Sequence, residues 1–288
     1  MIRKELSLII NSILVPLAAG LFIFLAVFRV LLSGSADSQS IRYFTGTGMA
    51  IAGPVILLGI IVSLFHLGNP FRAYRSVKKI DTSWLSREVF FTGSFFGLWL
   101  VYFVMELMGI KNSYVICLTI LAGFLSIVSM ANIYHSTGKP GWSGFNTYTG
   151  FLGSIIILGS VGTVAVAVYI RANKGEVMEL LISSVILALF VSAARLIQQL
   201  ILFKRLKPDE EWSMDNLVSG FSLDESVISR YKIFMITGWV LSFLGVAVSF
   251  IFLKKSGVML NAVFIAAFAT VLVGEFFERC GFYILGPE

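Results

Sequence analysis

Charged residues are scarce in this 288-residue sequence, since Asp, Glu, Lys and Arg together make up 13% of it and hydrophobic residues 57%. A soluble domain carries about 25% charged residues, because polar groups must cover its surface. The mean hydropathy of +0.90 points the same way. A soluble protein is therefore excluded, and the composition predicts an integral membrane protein with no nucleic-acid partner.

Cysteine and histidine are almost absent, with two residues of each. Cys117 and Cys280 fall in different apolar segments, at opposite faces of the predicted membrane topology. They can form neither a disulfide nor an iron–sulfur site, which needs about four thiolates. Any iron–sulfur chemistry must therefore reside in a partner protein.

Long apolar segments are abundant, and eight of them reach the roughly 20 residues that a helix needs to cross a hydrocarbon core. They predict an all-α integral membrane protein, a bundle of eight transmembrane helices in one domain over residues 1–288. The first segment exceeds the roughly 7–15 apolar residues of a signal peptide, so we expect a retained helix. The segments lie at about 8–32, 45–67, 88–109, 113–135, 149–170, 178–203, 231–253 and 257–278.

An even number of spans places both termini on one face, together with the loops 68–87, 136–148 and 204–230. Most Lys and Arg residues fall on that face. The positive-inside rule then favours cytoplasmic termini. The alternative is that the basic loops form a docking surface for a partner protein.

His66 ends the second apolar segment, in "SLFHLGNPFRAYRS". Ionisable groups are rare in such surroundings and often functional. Imidazole titrates near neutral pH, which suits proton exchange with a hydroquinone hydroxyl. The structural alternative is a helix-end histidine at the interface, with Gly68 as the helix stop.

Glu88, in "SWLSREVFF", is predicted in the first turn of the third span, at the membrane depth of His66. A carboxylate there could simply complement the helix dipole. Together with His66 and the nearby Arg72, however, it forms a candidate site for accepting two protons at a lipid-accessible cleft.

Further ionisable residues lie in the second half of the chain. Arg195 falls near the middle of the sixth span, where a cation needs a partner inside the bundle, and we expect it to join helices. Glu275 and Arg279 are four residues apart in the last span and can pair on one helix face. Glu278 and Tyr283 follow in the sequence. These residues either lie at the membrane surface, with Tyr283 as an interfacial tyrosine, or belong to the candidate site.

Two other classes of membrane protein are alternatives. A haem-b quinol-oxidising subunit commonly needs two axial ligands, and only His66 and His135 are available, both at helix ends. A transporter or channel predicts ionisable residues and broken helices near the bilayer midplane. Here most polar groups cluster at one edge, with Arg195 the exception.

The blocks "HLGNPFRA", "SWLSRE", "YHSTGKPGW" and "GEFFERCGFY" resemble the DmsC-type membrane anchor subunit of dimethyl sulfoxide reductases, molybdopterin oxidoreductase complexes. The resemblance covers most of the chain and includes its length and eight-span layout. It implies a haem-free, multi-pass protein of the cell inner membrane that binds menaquinol and functions in anaerobic respiration.

The resemblance also implies partners and site residues. Electrons would pass to a four-cluster iron–sulfur subunit and on to a molybdopterin catalytic subunit, so that clusters and molybdopterin reside in partners only. The quinol-site histidine, glutamate and arginine of the family fall on His66, Glu88 and Arg72. Family members usually carry this site towards the outer face, whereas the basic residues here favour the inner face. The membrane face and the direction of electron flow stay open.

Overall fold

Eight long α-helices make up the protein in a computed structural model that describes residues 2–35, 38–64, 79–110, 112–139, 141–142, 144–172, 175–205, 225–253 and 260–285. All eight are long and apolar enough to cross a membrane, which confirms the predicted number of spans and the all-α class. The helices are α1 Ile2–Leu31, α2 Ser38–Leu64, α3 Trp84–Leu107, α4 Ser113–His135, α5 Phe145–Tyr169, α6 Gly175–Arg205, α7 Glu225–Leu253 and α8 Leu260–Ile284.

Four helices extend six or seven residues beyond their predicted bounds, among them α1 and α7, which begin at Ile2 and Glu225 instead of about residues 8 and 231. The second helix begins at Ser38 instead of about residue 45, and its additional turns pack against the bundle through the buried side chains of Ile41 and Phe44. The last helix runs to Ile284 instead of about residue 278. Arg279 and Tyr283 consequently lie inside a helix and are buried.

Helices α1 and α5 form the centre of the bundle, since they are the most buried of the eight. They cross at Gly20 and Gly159, where a Cβ on Gly20 would lie 2.2 Å from the Ile155 carbonyl oxygen and 2.8 Å from Gly159 Cα. Such close approach compensates for the missing hydrophobic drive between helices in lipid. Gly159, the first residue of "GSVGTVAVAV", therefore serves close helix packing.

The other six helices surround this centre. Helices α2, α3 and α4 pack in succession beside α1, while α6, α7 and α8 pack in succession beside α5, and α8 also contacts α1. The extensive α7–α8 contact is again close, because a Cβ on Gly238 would lie 2.7 Å from the Gly274 carbonyl oxygen. Large apolar side chains such as Phe190 and Ile233 are exposed on the outer surface, as a lipid-facing surface requires.

The alternating helices define two ends of the bundle. The Glu88 end carries the α2–α3, α4–α5 and α6–α7 connections, and the Glu106 end carries the α1–α2, α3–α4, α5–α6 and α7–α8 connections. Cys117 lies near the start of α4 and Cys280 near the end of α8, so the two cysteines are at opposite ends and both are free. This confirms their predicted separation.

Candidate functional site

The predicted site residues fall partly outside the described part of the chain. His66 and Arg72 belong to residues 65–78, which lie outside the described residues, as do residues 206–224 of the second basic loop. Glu88 is described, and its surroundings define the candidate site at the Glu88 end of the bundle.

Glu88 lies in the second turn of α3 and does not cap the helix. The helix begins at Trp84, and the cap is Ser83, whose hydroxyl accepts from the Ser86 N–H at 3.3 Å. The prediction of a first-turn position was therefore wrong by one turn, because the polar residues before Glu88 are helical too. Its carboxylate consequently needs another role than capping.

Asn11 of α1 is the hydrogen-bond partner of Glu88 that the structure identifies. Its Nδ2 donates to Glu88 Oε1 at 3.3 Å. The Asn11 side chain is buried, and its Oδ1 atom has no hydrogen-bond partner among the residues that the structure describes. The same oxygen faces α2, since a Cβ on Gly59 would lie 3.5 Å from it. A polar pair thus joins α1 and α3 next to the last turns of α2.

Two tyrosines extend this polar region towards α8. The hydroxyls of Tyr134 and Tyr283 are 2.6 Å apart, and Glu88 is close enough to interact electrostatically with both. The Tyr134 ring is surrounded by the rings of Trp142, Phe151 and Phe282. The carboxylate therefore lies near an aromatic cluster at the Glu88 end of the bundle.

Next to the aromatic rings lies a cluster of four buried charged side chains, those of Arg195, Glu275, Glu278 and Arg279. Arg195 of α6 pairs with two carboxylates of α8, Glu275 at 2.5 Å and Glu278. Ser154 of α5 donates to Glu275 at 2.6 Å and accepts from Arg279 at 2.9 Å. The charges balance, and this confirms that Arg195 has its partner inside the bundle.

The expected surface pair of Glu275 and Arg279 is not what forms. Glu275 pairs with Arg195 instead, and the Arg279 guanidinium lies over the Phe151 ring, 3.9 Å from its centroid. The last helix is longer than hydropathy indicates, so this segment is buried and its charges must be satisfied internally. The four charges therefore join α5, α6 and α8.

His135 is the histidine of the chain that the structure describes. His135 ends α4, and its ring centroid lies 5.0 Å from that of Tyr148. Among the described residues, no three His, Cys, Asp or Glu side chains come together as a metal site would require. His66, the other candidate haem ligand, lies outside the described residues.

The sequence analysis offers Tyr283 as a possible part of the candidate site, but it does not reveal Asn11 or Tyr134 as neighbours of Glu88. Asn11 and Ser12 do interrupt an apolar run in the first span, which is a detectable signal of an interior polar position. The tyrosine pair joins residues 149 positions apart, so no local pattern could reveal it.

These features define a class of protein: an eight-helix, multi-pass membrane protein with a carboxylate, an amide and paired tyrosines at one end. The chain belongs to the DMSO reductase anchor subunit (DmsC) family, whose model matches residues 2–285. This confirms the resemblance found in the sequence. Membership places the chain among the membrane anchor subunits of reductase complexes.

Three relatives extend the comparison. The chain is 28% identical to the C subunit of anaerobic dimethyl sulfoxide reductase from Haemophilus influenzae over 160 residues, which are 54% of this chain and 56% of that protein. It is 28% identical to the C subunit of the Escherichia coli enzyme over 203 residues, 68% of either chain. It is 26% identical to the YnfH subunit of the same organism over 200 residues, again 68% of either chain. The first match thus spans little more than half of the relative.

Proposed function

We propose that this protein oxidises menaquinol in the cell inner membrane, with His66 and Glu88 as the proton-accepting residues. Arg72 tunes the site or the adjoining docking surface. The electrons pass to a four-cluster iron–sulfur subunit and then to a molybdopterin catalytic subunit. The protein alone completes no reaction, because the final electron acceptor is reduced by the partner.

The position of the Glu88 carboxylate is the observation that carries the proposal. It lies in a polar region with Asn11, Tyr134 and Tyr283, at the end of a helix whose outer surface is apolar. His66 follows the end of α2 by two residues, and Glu88 lies five residues into α3, so both flank the same connection in sequence.

The chemistry needs two bases and one electron acceptor. Menaquinol loses two electrons and two protons and becomes menaquinone. The Glu88 carboxylate accepts one proton and the His66 imidazole the other, since both groups exchange protons near neutral pH when suitably placed. Asn11 fixes the carboxylate through its Nδ2 donor. Both electrons leave to the iron–sulfur subunit.

The loops 68–87 and 204–230 at the Glu88 end are the proposed contact for that subunit. The first contains Arg72, Arg75 and Lys78, and the second contains Lys204, Arg205 and Lys207 together with acidic residues within 209–225. Docking at this end places the electron acceptor beside the quinol, which the electron path requires. Dimethyl sulfoxide appears in the names of the relatives, so it is the first terminal acceptor to test.

Family membership favours this proposal over a transporter or channel. The buried charges also agree with it, because Arg195, Arg279, Glu275 and Glu278 balance one another and join helices. The haem-b alternative is decided by a reduced-minus-oxidised visible spectrum of the purified protein. The reverse reaction, in which electrons from a dehydrogenase partner reduce quinone, is tested by measuring the turnover of the complex in each direction.

A variant at His66 tests the proposal in membranes that contain the whole complex. We expect His66→Ala to abolish dimethyl sulfoxide reduction driven by a menaquinol analogue, while reduction driven by an artificial dye that feeds the catalytic subunit continues. His135→Ala is the matched control and should retain both activities. Unchanged quinol turnover in His66→Ala would overturn the site assignment, and loss of assembled complex would indicate a structural role instead.

A further inference from the structure

A cavity of about 480 Å³ lies at the Glu106 end, between the last turns of α1 and α3 and the first turns of α2 and α4. Glu106 lies five turns along α3 from Glu88, which is about 27 Å at 1.5 Å per residue. The cavity is therefore separate from the proposed quinol site.

An ion pair between Arg29 and Glu106 forms the polar floor of the cavity, and every N–H group of the Arg29 guanidinium already donates a hydrogen bond. Arg29 donates from both terminal nitrogens to Glu106, each at 2.8 Å. Its remaining N–H groups donate to the Thr45 hydroxyl at 2.9 Å, the Tyr102 hydroxyl at 3.1 Å and the Arg42 carbonyl at 3.2 Å. All five donors of the guanidinium are used, so Arg29 positions the floor and binds no ligand itself.

Glu106 and Arg42 are the two charged groups of the lining that can still bind a ligand. Each oxygen of Glu106 accepts one bond from Arg29, and a carboxylate has about four acceptor positions. The Tyr102 hydroxyl donates elsewhere, to Met49 Sδ at 3.0 Å. Arg42 lies on the rim in an exposed position of α2. Among the described residues of the lining, Arg29 and Glu106 cancel, and Arg42 leaves one net positive charge.

The walls of the cavity are apolar and reach the lipid-facing surface. Val30, which lines the cavity, is 67% exposed. Other apolar residues from the four surrounding helices or their ends also line the cavity, namely Leu32, Ile41, Met105, Val115 and Ile116. A ligand that enters from the bilayer would thus keep its apolar part in contact with apolar side chains while its head reaches Arg42 and Glu106.

We propose that this cavity binds the headgroup of an anionic glycerophospholipid of the phosphatidylglycerol type. Its phosphodiester accepts from the Arg42 guanidinium, and its glycerol hydroxyls donate to the unused acceptor positions of Glu106. One negative charge on the lipid neutralises the one net positive charge of the lining. Basic pockets between transmembrane helices recognise anionic headgroups in this way.

The test is native mass spectrometry of the delipidated full-length protein in detergent, titrated separately with phosphatidylglycerol and with phosphatidylcholine of the same acyl chains. We expect wild type to retain phosphatidylglycerol in preference to phosphatidylcholine. Arg42→Gln should weaken phosphatidylglycerol retention about fivefold, the effect of one lost arginine contact at a membrane surface. Ser33→Trp, which fills the cavity from an exposed position, should weaken it as well.

Arg230→Gln is the matched control, because Arg230 is also an exposed arginine near the start of a helix but lies at the other end of the bundle. It should retain the lipid as wild type does. Equal effects of Arg42→Gln and Arg230→Gln would overturn the proposal, as would equal retention of the two lipids. Displacement by excess inorganic phosphate would show a free-anion site, and displacement by a menaquinone analogue a quinone site; either result also overturns it.

Discussion

Asn11 and Glu88 meet across the α1–α3 contact, with the Asn11 Nδ2 atom 3.3 Å from Glu88 Oε1. The two residues are 77 positions apart, so the bundle itself creates this pair. Asn11 is buried in one of the two central helices and can therefore orient the carboxylate of a helix that packs outside them. Their different roles, base and positioning residue, lead to different predictions.

Replacing Glu88 by glutamine tests the carboxylate as a proton acceptor. The amide oxygen introduced by Glu88→Gln can still accept from Asn11, so the fold should persist, but the side chain no longer takes up a proton. We expect quinol-dependent turnover of the complex to fall by about 100-fold, the low end of the range for a lost general base. Dye-dependent turnover is the internal reference.

Glu179→Gln serves as the control for Glu88→Gln, because Glu179 is exposed on α6. It should leave both activities unchanged. If Glu88→Gln supports normal quinol oxidation, the carboxylate is structural and the proposed proton transfer to it is wrong.

Replacing Asn11 by alanine tests the positioning role. The carboxylate remains able to accept a proton, but it loses a donor worth about 1 kcal/mol, so we expect quinol-dependent turnover to fall by roughly fivefold. The pH profile of that turnover should shift, since Asn11 stabilises the charged form of Glu88. A shift in melting temperature with an unchanged pH profile would show that Asn11 serves packing alone.

Asn146→Ala is the comparison for Asn11→Ala. Asn146 also donates its Nδ2 to an oxygen at the Glu88 end, the Gly141 carbonyl at 3.0 Å, but it belongs to the α5 start. The pH profile of this variant should match that of wild type.

The spans were predictable because length and hydropathy alone decide whether a helix crosses the membrane. The number of helices and the interior partner of Arg195 followed from the cost of polar groups in lipid. Hydropathy does not predict where a helix begins or ends when its terminal turns are polar. The stretch from Ser38 packs against the bundle through Ile41 and Phe44, and α8 continues through Arg279 because another helix supplies a hydrogen-bond partner, Ser154.

The candidate site was only partly accessible to sequence reasoning. Glu88 stood out as a carboxylate beside an apolar segment, but its partner Asn11 is specified by helix packing. The pairing of Glu275 with Arg195 instead of Arg279 has the same origin, since spacing of four residues allows a pair without requiring one.

Removal of Arg195 should destabilise the protein strongly. Arg195→Met leaves Glu275 and Glu278 buried without their shared cation, and breaking a buried pair from one side costs about 3–5 kcal/mol. We expect a large drop in the midpoint of thermal unfolding in detergent. The double variant Arg195→Met with Glu278→Gln should recover part of it, because one uncompensated charge is removed.

Arg230→Met controls for the loss of an exposed arginine and should change the midpoint little. If the double variant is as unstable as Arg195→Met alone, the unpaired carboxylate is not the cause of the instability, and lost side-chain packing is.

The contact between α1 and α5 should depend on the absence of a side chain at Gly20. In Gly20→Ala the new Cβ would lie 2.2 Å from the Ile155 carbonyl oxygen, so the two central helices must separate, at a cost of about 1–3 kcal/mol. Gly97→Ala is the matched control, because Gly97 lies within α3 and no atom of the described residues lies within 4 Å of the new Cβ. It should be neutral or stabilising by up to about 1 kcal/mol, since alanine favours helix formation. Thermal unfolding of both variants in the same detergent measures the difference, and equal midpoints would contradict the close crossing of α1 and α5.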